Sequence, residues 1–265
     1  MTSAPGATSD FLSRLFRLDD RVAVVTGGAS GLGAAMANGL AAAGAIVVIA
    51  DKNEEGAVAQ AAAIAEAGGS ATAHLLDVTD AAAVAGFADR VVEELGRVDV
   101  LLNSAGAAYR CSIEDFPEEA LDFILDLNLK GTYLMAQAIG RKMLEAESGS
   151  IINIASIGGF IAYPHASAYL ASKGGVVQAT RAFALEWIGR GVRVNAIAPG
   201  LCETPLIKGL ERISTVTTDF IQERMLRPAL IQPEELVGAA IFLASDASAR
   251  VTGHVLAVDD GYLIA

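Results

Sequence analysis

The chain is poor in the residues that build metal centres, disulfide frameworks and polyanion-binding surfaces. Its 265 residues include only two cysteines and three histidines. Cys111 and Cys202 make no disulfide framework, and no His, Asp or Glu cluster has ligand spacing, so no metal is expected. So few cysteines fit a reducing cytoplasm. Positive charge is also short: Lys plus Arg number 19 against 31 Asp plus Glu, a formal net charge of −12. An acidic chain without a basic cluster matches neither a nucleic-acid backbone nor an anionic membrane, so neither partner is expected. The opening residues, MTSAPGATSDFLSRLF, lack a long apolar stretch, and no signal peptide is expected. Residues 1–17 read as a tail, frayed over the first nine or so, with FLSRLF available to pack on the body or on a partner subunit.

One segment imitates a membrane span. From Gly31 to Ala50 the only clearly polar residue is Asn38, and about 20 apolar residues suffice to cross a bilayer. Gly33, Gly39 and Gly44 break the run, and its character changes from the helix-forming AAMANGLAAA to the β-branched AIVVIA. A helix followed by a buried strand is the better reading.

Strand-like runs recur at 22–26, 45–50, 71–76, 98–103, 150–156, 192–198 and 254–259, separated by Ala-rich or apolar helical stretches. Near-continuous apolar strands suit a sheet covered on both faces. The alternation predicts an α/β fold with a doubly wound parallel sheet, as one domain over 18–265. The polar, Thr-rich stretch at about 203–228 breaks the rhythm and reads as an irregular substrate lid.

In such a sheet ligands sit at the carboxyl ends of the strands. After the first strand comes TGGASGLG. Gly27 permits a tight turn, Gly31 and Gly33 allow close backbone approach to a pyrophosphate, and the helix start offers free N–H groups. Ser30 and Leu32 lie in the same loop. After the second strand comes Asp51, where a carboxylate can accept ribose hydroxyls and repel a 2′-phosphate, although a helix cap is the plain structural alternative. Lys52 beside it weighs the other way. Asp77 after the third strand can accept from an adenine amino group, with Val78 against the ring; Thr79 and Asp80 read as caps. NSAG, 103–106, follows the fourth strand.

After the fifth strand comes Ser156, and 13 residues later Tyr169, then Ser172 and Lys173. Tyr169 and Lys173 at i and i+4 share one helix face. Free tyrosine, with a pKa near 10, is a poor base at neutral pH, and a neighbouring ammonium is expected to lower that value. A serine, a phenol and an ammonium together provide an orienter, an acid/base and an activator; alone, Y-x-x-x-K would be an ordinary surface pair.

With these motifs assembled, the chain resembles the short-chain dehydrogenase/reductase family over about 18–262. The carrying residues are TGGASGLG, Asp51, Asp77 and Val78, NSAG, Asn128 in LNLKG, Ser156, YLASK, Asn195 in RVNAIAPG, and PGLCET. The resemblance implies a seven-stranded Rossmann-like sheet, an NAD cofactor and a catalytic tetrad of Asn128, Ser156, Tyr169 and Lys173. By the same resemblance Asn128 holds a water linking Lys173 to solvent. Asn103, Ala105, Gly106, Pro199, Gly200 and Thr204 join the cofactor contacts, as do Tyr169 and Lys173, with Thr204 near the nicotinamide carboxamide. Departures are Ser104 where relatives often carry a second Asn, RPALIQPEE without a Gly-Arg pattern, and Asp260 where relatives often have Gly.

The expected activity is hydride transfer between NAD(H) and a secondary alcohol or ketone of the polyol, sugar or sugar-acid kind, in a homotetramer. Helical segments apolar on more than one face, at 117–147 and 167–189, support assembly. Tyr109, Arg110, Ile157, Phe160, Tyr163, His165, Cys202 and the lid are the candidate substrate walls. The alternatives are an NADPH-dependent 3-oxoacyl thioester reductase, opposed by Asp51 and the acidic charge, and a non-catalytic NAD-binding protein on the same fold, opposed by the intact tetrad.

Overall fold

Alternate residues of the strand β1 (Val22–Thr26) enter different layers. Val22 and Val24 pack with Phe87, Val91, Met135 and Ile139 on one face, while Ala23 and Val25 pack with Met36, Leu40 and Leu243 on the other. Both faces are therefore buried, which is why the strand reads as an unbroken apolar run. The computed structural model describes residues 5–211 and 215–265.

The chain continues through the helix α1 (Pro5–Phe16, before β1), α2 (Gly31–Ala42), β2 (Ile46–Asp51), α3 (Glu54–Glu66), β3 (Ser70–Leu75), α4 (Ala81–Leu95) and β4 (Val100–Asn103). Then follow α5 (Glu118–Leu125), α6 (Thr132–Glu145), β5 (Gly149–Ile154), α7 (Ser167–Trp187), β6 (Val192–Pro199), α8 (Pro205–Glu211), α9 (Val216–Gln222), α10 (Val237–Ala244) and β7 (Val255–Val258). The seven strands form one parallel sheet in the order β3-β2-β1-β4-β5-β6-β7. The order reverses between β1 and β4, opening a crevice at their carboxyl ends. In register there, Thr26 faces Ala50 on one side and Asn103 on the other, and Asn103 faces Asn153.

All seven expected strands are present, and the span-like segment is the helix α2 followed by the strand β2. Among the described residues no helix is long and apolar enough to cross a membrane. Two expectations are corrected. Residues Pro5–Phe16 form a helix rather than a frayed tail; residues 1–4 lie outside those described. Phe11, Leu12 and Phe16 on that helix are exposed, so FLSRLF is not buried on the body. The 203–228 stretch is not irregular throughout: it holds α8 and α9, with Pro205 at the first position of α8, where a missing N–H costs nothing. Residues 212–214 within it lie outside those described.

A buried polar chain crosses the core at the crevice. Asn103 donates to Asn153 Oδ1 (3.0 Å), and Asn153 donates to Thr180 Oγ1 (2.9 Å) on α7. These hydrogen bonds tie β4, β5 and α7 together, and α7 carries Tyr169 and Lys173, while Asn103 Oδ1 is buried without a hydrogen-bond partner among the described residues.

Candidate active site

The glycine loop is shaped by contacts that admit no side chain. Gly27 has φ +65°, and a Cβ there would stand 2.7 Å from Cα and N of Ala105. A Cβ at Gly33 would stand 2.1 Å from the Gly27 carbonyl oxygen. The loop thus folds against the NSAG turn and back onto the start of α2. Thr26, fully buried, holds the turn from below: its Oγ1 accepts from Ser104 N (3.1 Å) and Ala105 N (3.3 Å). Asp51 ties the loop to β2. Its carboxylate accepts from Ala29 N (3.0 Å) and Asn53 N (2.9 Å), while the cap of α3 is Asn53.

Together these elements enclose a groove of about 300 Å³. It brings together Gly27, Ser30, Gly31, Leu32, Gly33, Asp51, Asp77, Val78, Ala105, Gly106, Tyr169, Lys173 and Thr204. Lys52 lines it too. Asp77 is held by its neighbour: Thr79 donates from N (2.9 Å) and Oγ1 (2.7 Å) to Oδ1, which keeps the carboxyl below its ordinary pKa. Asp80 caps α4 through Ala82 N and Ala83 N. The glycine cradle and the exposed start of α2 fit a dinucleotide pyrophosphate, whose close approach to backbone is what a Cβ would prevent.

A second cavity of about 90 Å³ adjoins the groove. Tyr169, Leu32, Ile154, Thr204 and Leu206 line both. Ser156, Tyr163, Arg110, Pro199, Gly200 and Cys202 line the second alone, with Ile157, Leu201, Ile207 and Ile221 supplying aliphatic wall. Tyr169 therefore stands where the two cavities meet.

Burial sets the protonation at this junction. It raises the Tyr169 phenol above its ordinary pKa; the Ser156 hydroxyl and then the Arg110 charge pull it down, and the Cys202 thiol pushes it up again. The sequence had suggested the opposite direction, with Lys173 as the lowering charge. Lys173 is itself buried, and burial lowers its pKa to about 8. Its Nζ donates to the Ile154 carbonyl (2.7 Å) and lies 5.7 Å from the Tyr169 ring centroid. The ammonium is thus directed at backbone rather than at the phenol oxygen. Tyr163, also buried, has its phenol raised by burial and lowered by Arg110 and Ser156.

Asn128 lies in a π-helical turn, Asp126–Gly131, between α5 and α6, a local widening often found at functional sites. Its side chain is fully buried. Nδ2 donates to the Ala107 carbonyl (2.9 Å) and Ser172 Oγ (3.0 Å), and Oδ1 accepts from Ala107 N (2.8 Å). Ser172 Oγ in turn donates to the Tyr169 carbonyl (2.7 Å). Asn128 therefore clamps the NSAG turn to the helix that carries Tyr169.

A sequence profile of the family described as enoyl-(acyl carrier protein) reductase matches residues 27–263. D-threitol dehydrogenase of Mycolicibacterium smegmatis is 44% identical over 264 residues, covering all of both chains. Cis-4-hydroxycyclohexanecarboxylate dehydrogenase of Sinomonas cyclohexanicum is 42% identical, over 92% of this chain and 96% of its own. The crystal structure of a gluconate 5-dehydrogenase from Burkholderia cenocepacia, in complex with NADP and tartrate, superposes with a TM-score of 0.91. It is 37% identical, over 96% of this chain and 99% of that one. The chain belongs to the short-chain dehydrogenase/reductase family.

Not every residue expected at the groove of this dehydrogenase/reductase reaches it. Asn103 is buried behind the groove against Asn153, and Pro199 and Gly200 face the second cavity. Thr204 Oγ1 accepts from Ile207 N (3.3 Å), capping α8, while the residue lines both cavities. Of the candidate substrate walls, Arg110, Ile157, Tyr163 and Cys202 line the second cavity; Tyr109, Phe160 and His165 do not. Thr26 was missed as a support for the turn. The only signal for it is its place as the last residue of β1, whose side chain must point along the crevice.

Proposed function

We propose that the protein transfers a hydride between NAD(H) and a secondary alcohol or ketone of the polyol, sugar or sugar-acid class. The observation that carries this reading is the position of Tyr169, shared by a glycine-cradled groove and a small cavity beside it. A nicotinamide dinucleotide supplies the hydride acceptor in oxidation and the donor in reduction. Gly27, Ser30, Gly31, Leu32 and Gly33 would hold its pyrophosphate, Asp51 its ribose, and Asp77 and Val78 its adenine. Lys173 and the Ala105–Gly106 turn stand at the other end.

In the reaction, Ser156 holds the substrate oxygen beside the Tyr169 phenol. Tyr169 takes the hydroxyl proton in oxidation and returns it to the carbonyl oxygen in reduction. A phenol raised by burial is suited to the acid role, and the opposing pull of Ser156 and Arg110 keeps the base role within reach. Lys173, with its pKa lowered to about 8, can exchange a proton near neutral pH. Asn128 positions this pair through Ser172.

NAD(H) is the favoured cofactor because a 2′-phosphate would face the Asp51 carboxylate. Lys52, next to Asp51 in the chain and lining the same groove, is a cation that could offset it. The thioester-reductase alternative is disfavoured by that carboxylate and by the net charge of −12. A homotetramer fits the exposed Leu121, Phe123, Tyr133, Leu185 and Ile188 on α5, α6 and the α7 end. We assign residues 18–265 as one catalytic domain in the cytoplasm, with 203–228 as its lid.

The deciding experiment is a screen of secondary alcohols, polyols and sugar acids with NAD+ and NADP+, read at the nicotinamide absorbance. Turnover of one class with NAD+ preferred is expected. No absorbance change with any compound and either cofactor would overturn the proposal.

A further inference from the structure

We infer that Tyr262, which lines neither the groove nor the cavity, is a positioning residue that sets the width of the substrate cavity from behind its wall. The inference rests on the reading of that cavity as the substrate site of a dehydrogenase, and it names a residue that decides what the cavity admits.

Ile157, Tyr163, Leu201 and Ile221 line the cavity, and they come from separate places: after β5, before α7, after β6 and on α9. All four belong to one apolar cluster. Ala166 and Tyr262 are the buried members of that cluster that do not line the cavity, and Tyr262 is much the larger. A wall of side chains from separate elements keeps its shape only while the space behind it is filled, because a void forfeits the contacts of every group around it. The Tyr262 ring supplies that filling. Its surroundings mark where it stands. It acts on the ionisation of Tyr163, and the charge of Arg224, just past α9, acts on its own phenol. Arg224 in turn lies 3.7 Å from the ring centroid of Phe220 on α9. The Tyr262 hydroxyl is buried with no hydrogen-bond partner among the described residues, so the ring and not the polar tip is what the position needs.

The turn that carries Tyr262 is fastened by contacts outside the cavity. Asp260 and Gly261 are both left-handed, with φ +52° and +80°. The Asp259 carboxylate accepts from Gly261 N (3.0 Å) and Leu263 N (3.0 Å). Asp260 pairs with Arg227 at 3.1 Å, and a Cβ at Gly261 would stand 3.3 Å from Cδ1 of Leu226. The turn therefore holds the ring in place and clasps the stretch that follows α9.

Shortening Tyr262 should let Leu201 and Ile221 relax into the vacated space and widen the cavity. The first readout is the kcat/KM ratio of 1-phenyl-1,2-ethanediol to 1,2-propanediol with NAD+. Tyr262→Leu should raise that ratio about tenfold, the lower end of what a methylene's room is worth in an apolar pocket, with NAD+ affinity unchanged in titration. Tyr262→Phe should keep the wild-type ratio. Tyr262→Met should give a smaller rise and replaces Tyr262→Leu if that variant does not fold. A merely structural role would lower both diols in step. The second readout needs no turnover: Cys202 is a buried thiol on the cavity wall. In a Cys111→Ser background, its labelling rate by N-phenylmaleimide relative to methyl methanethiosulfonate should also rise in Tyr262→Leu. A folded Tyr262→Leu or Tyr262→Met protein that keeps the wild-type value of either ratio would overturn the assignment. Failure of the whole alcohol screen with the labelling ratio raised would sink the dehydrogenase reading and leave the role of Tyr262 standing.

Discussion

The groove and the cavity that meet at Tyr169 are built in different ways. The groove is made by strand ends and their turns, with backbone packed on backbone, Gly33 on Gly27 and Gly27 on Ala105, and with Ala29 N tied to the Asp51 carboxylate. The cavity is made by side chains from distant places, with Arg110 after β4, Ile157 after β5, Leu201 after β6, and Ile207 and Ile221 on two short helices. Backbone contacts leave little room to vary a sequence without losing the shape. Side-chain walls can be exchanged one at a time with the fold intact. A common cofactor can thus be kept on one side while the substrate changes on the other.

The sharpest test of the junction between them is Tyr169→Phe. It removes one hydroxyl and leaves the ring in place, so cofactor affinity should hold while kcat falls by about 10²–10⁴-fold. Steady-state kinetics and cofactor titration on the same variant check both halves. A variant that keeps most of its kcat would remove Tyr169 from the chemistry.

Next in size is Gly33→Ala on the groove side. A methyl 2.1 Å from the Gly27 carbonyl must push the loop out of place. Cofactor affinity should drop about 10²-fold, the effect of a misplacement of order 1 Å, and the melting temperature should fall as in other overpacked cores. An enlargement by two carbons on the cavity side, Ala108→Val at a residue that lines the cavity, should instead alter KM for the substrate and spare cofactor binding. If both variants lose cofactor equally, the two regions are not separable.

The same contrast explains what was legible in the sequence. The seven strands, the glycine turn, Asp51, Ser156 and the Tyr169–Lys173 pair are local features, each written within a few residues of a strand end. The walls of the cavity depend on how α8, α9 and the 107–116 loop pack, and of the expected substrate walls Arg110, Ile157, Tyr163 and Cys202 line it while Tyr109, Phe160 and His165 lie outside its lining. Leu201 and Ile221 carry no local mark that distinguishes them from core. The direction of the Tyr169 shift was misread for a related reason. Spacing puts Lys173 on the same helix face, but burial of both groups, a property of the whole packing, outweighs the pairing.

A smaller effect is expected at Asp51. Both its oxygens already accept backbone N–H groups, and Lys52 lies beside it in the groove. Asp51→Ala removes the carboxylate that would repel a 2′-phosphate and leaves Lys52 in the groove to attract one. The ratio of kcat/KM for NADP+ to that for NAD+ should rise about tenfold, the scale of one exposed charge contact with a phosphate. Part of the NAD+ rate should be lost as the loop tether to Ala29 goes. A wild-type preference for NADP+ would show that the carboxylate does not select against the phosphate at all.

The smallest expected change is a displaced midpoint rather than a lost rate, and it couples the two regions. Oxidation needs the Tyr169 phenolate, so kcat/KM rises as pH passes through the phenol pKa. The groups that act on that phenol are Ser156 and Arg110, which lower it, and Cys202, which raises it. The Cys202 thiol, its own pKa pushed up to about 12 by burial, stays neutral across the working range. Arg110→Gln deletes a lowering charge, so with a neutral alcohol the rise should move to higher pH. A cavity whose charge reaches the base makes the midpoint depend on Arg110. The same midpoint in the wild type and in Arg110→Gln would show that the guanidinium only shapes the cavity and does not act on the phenol.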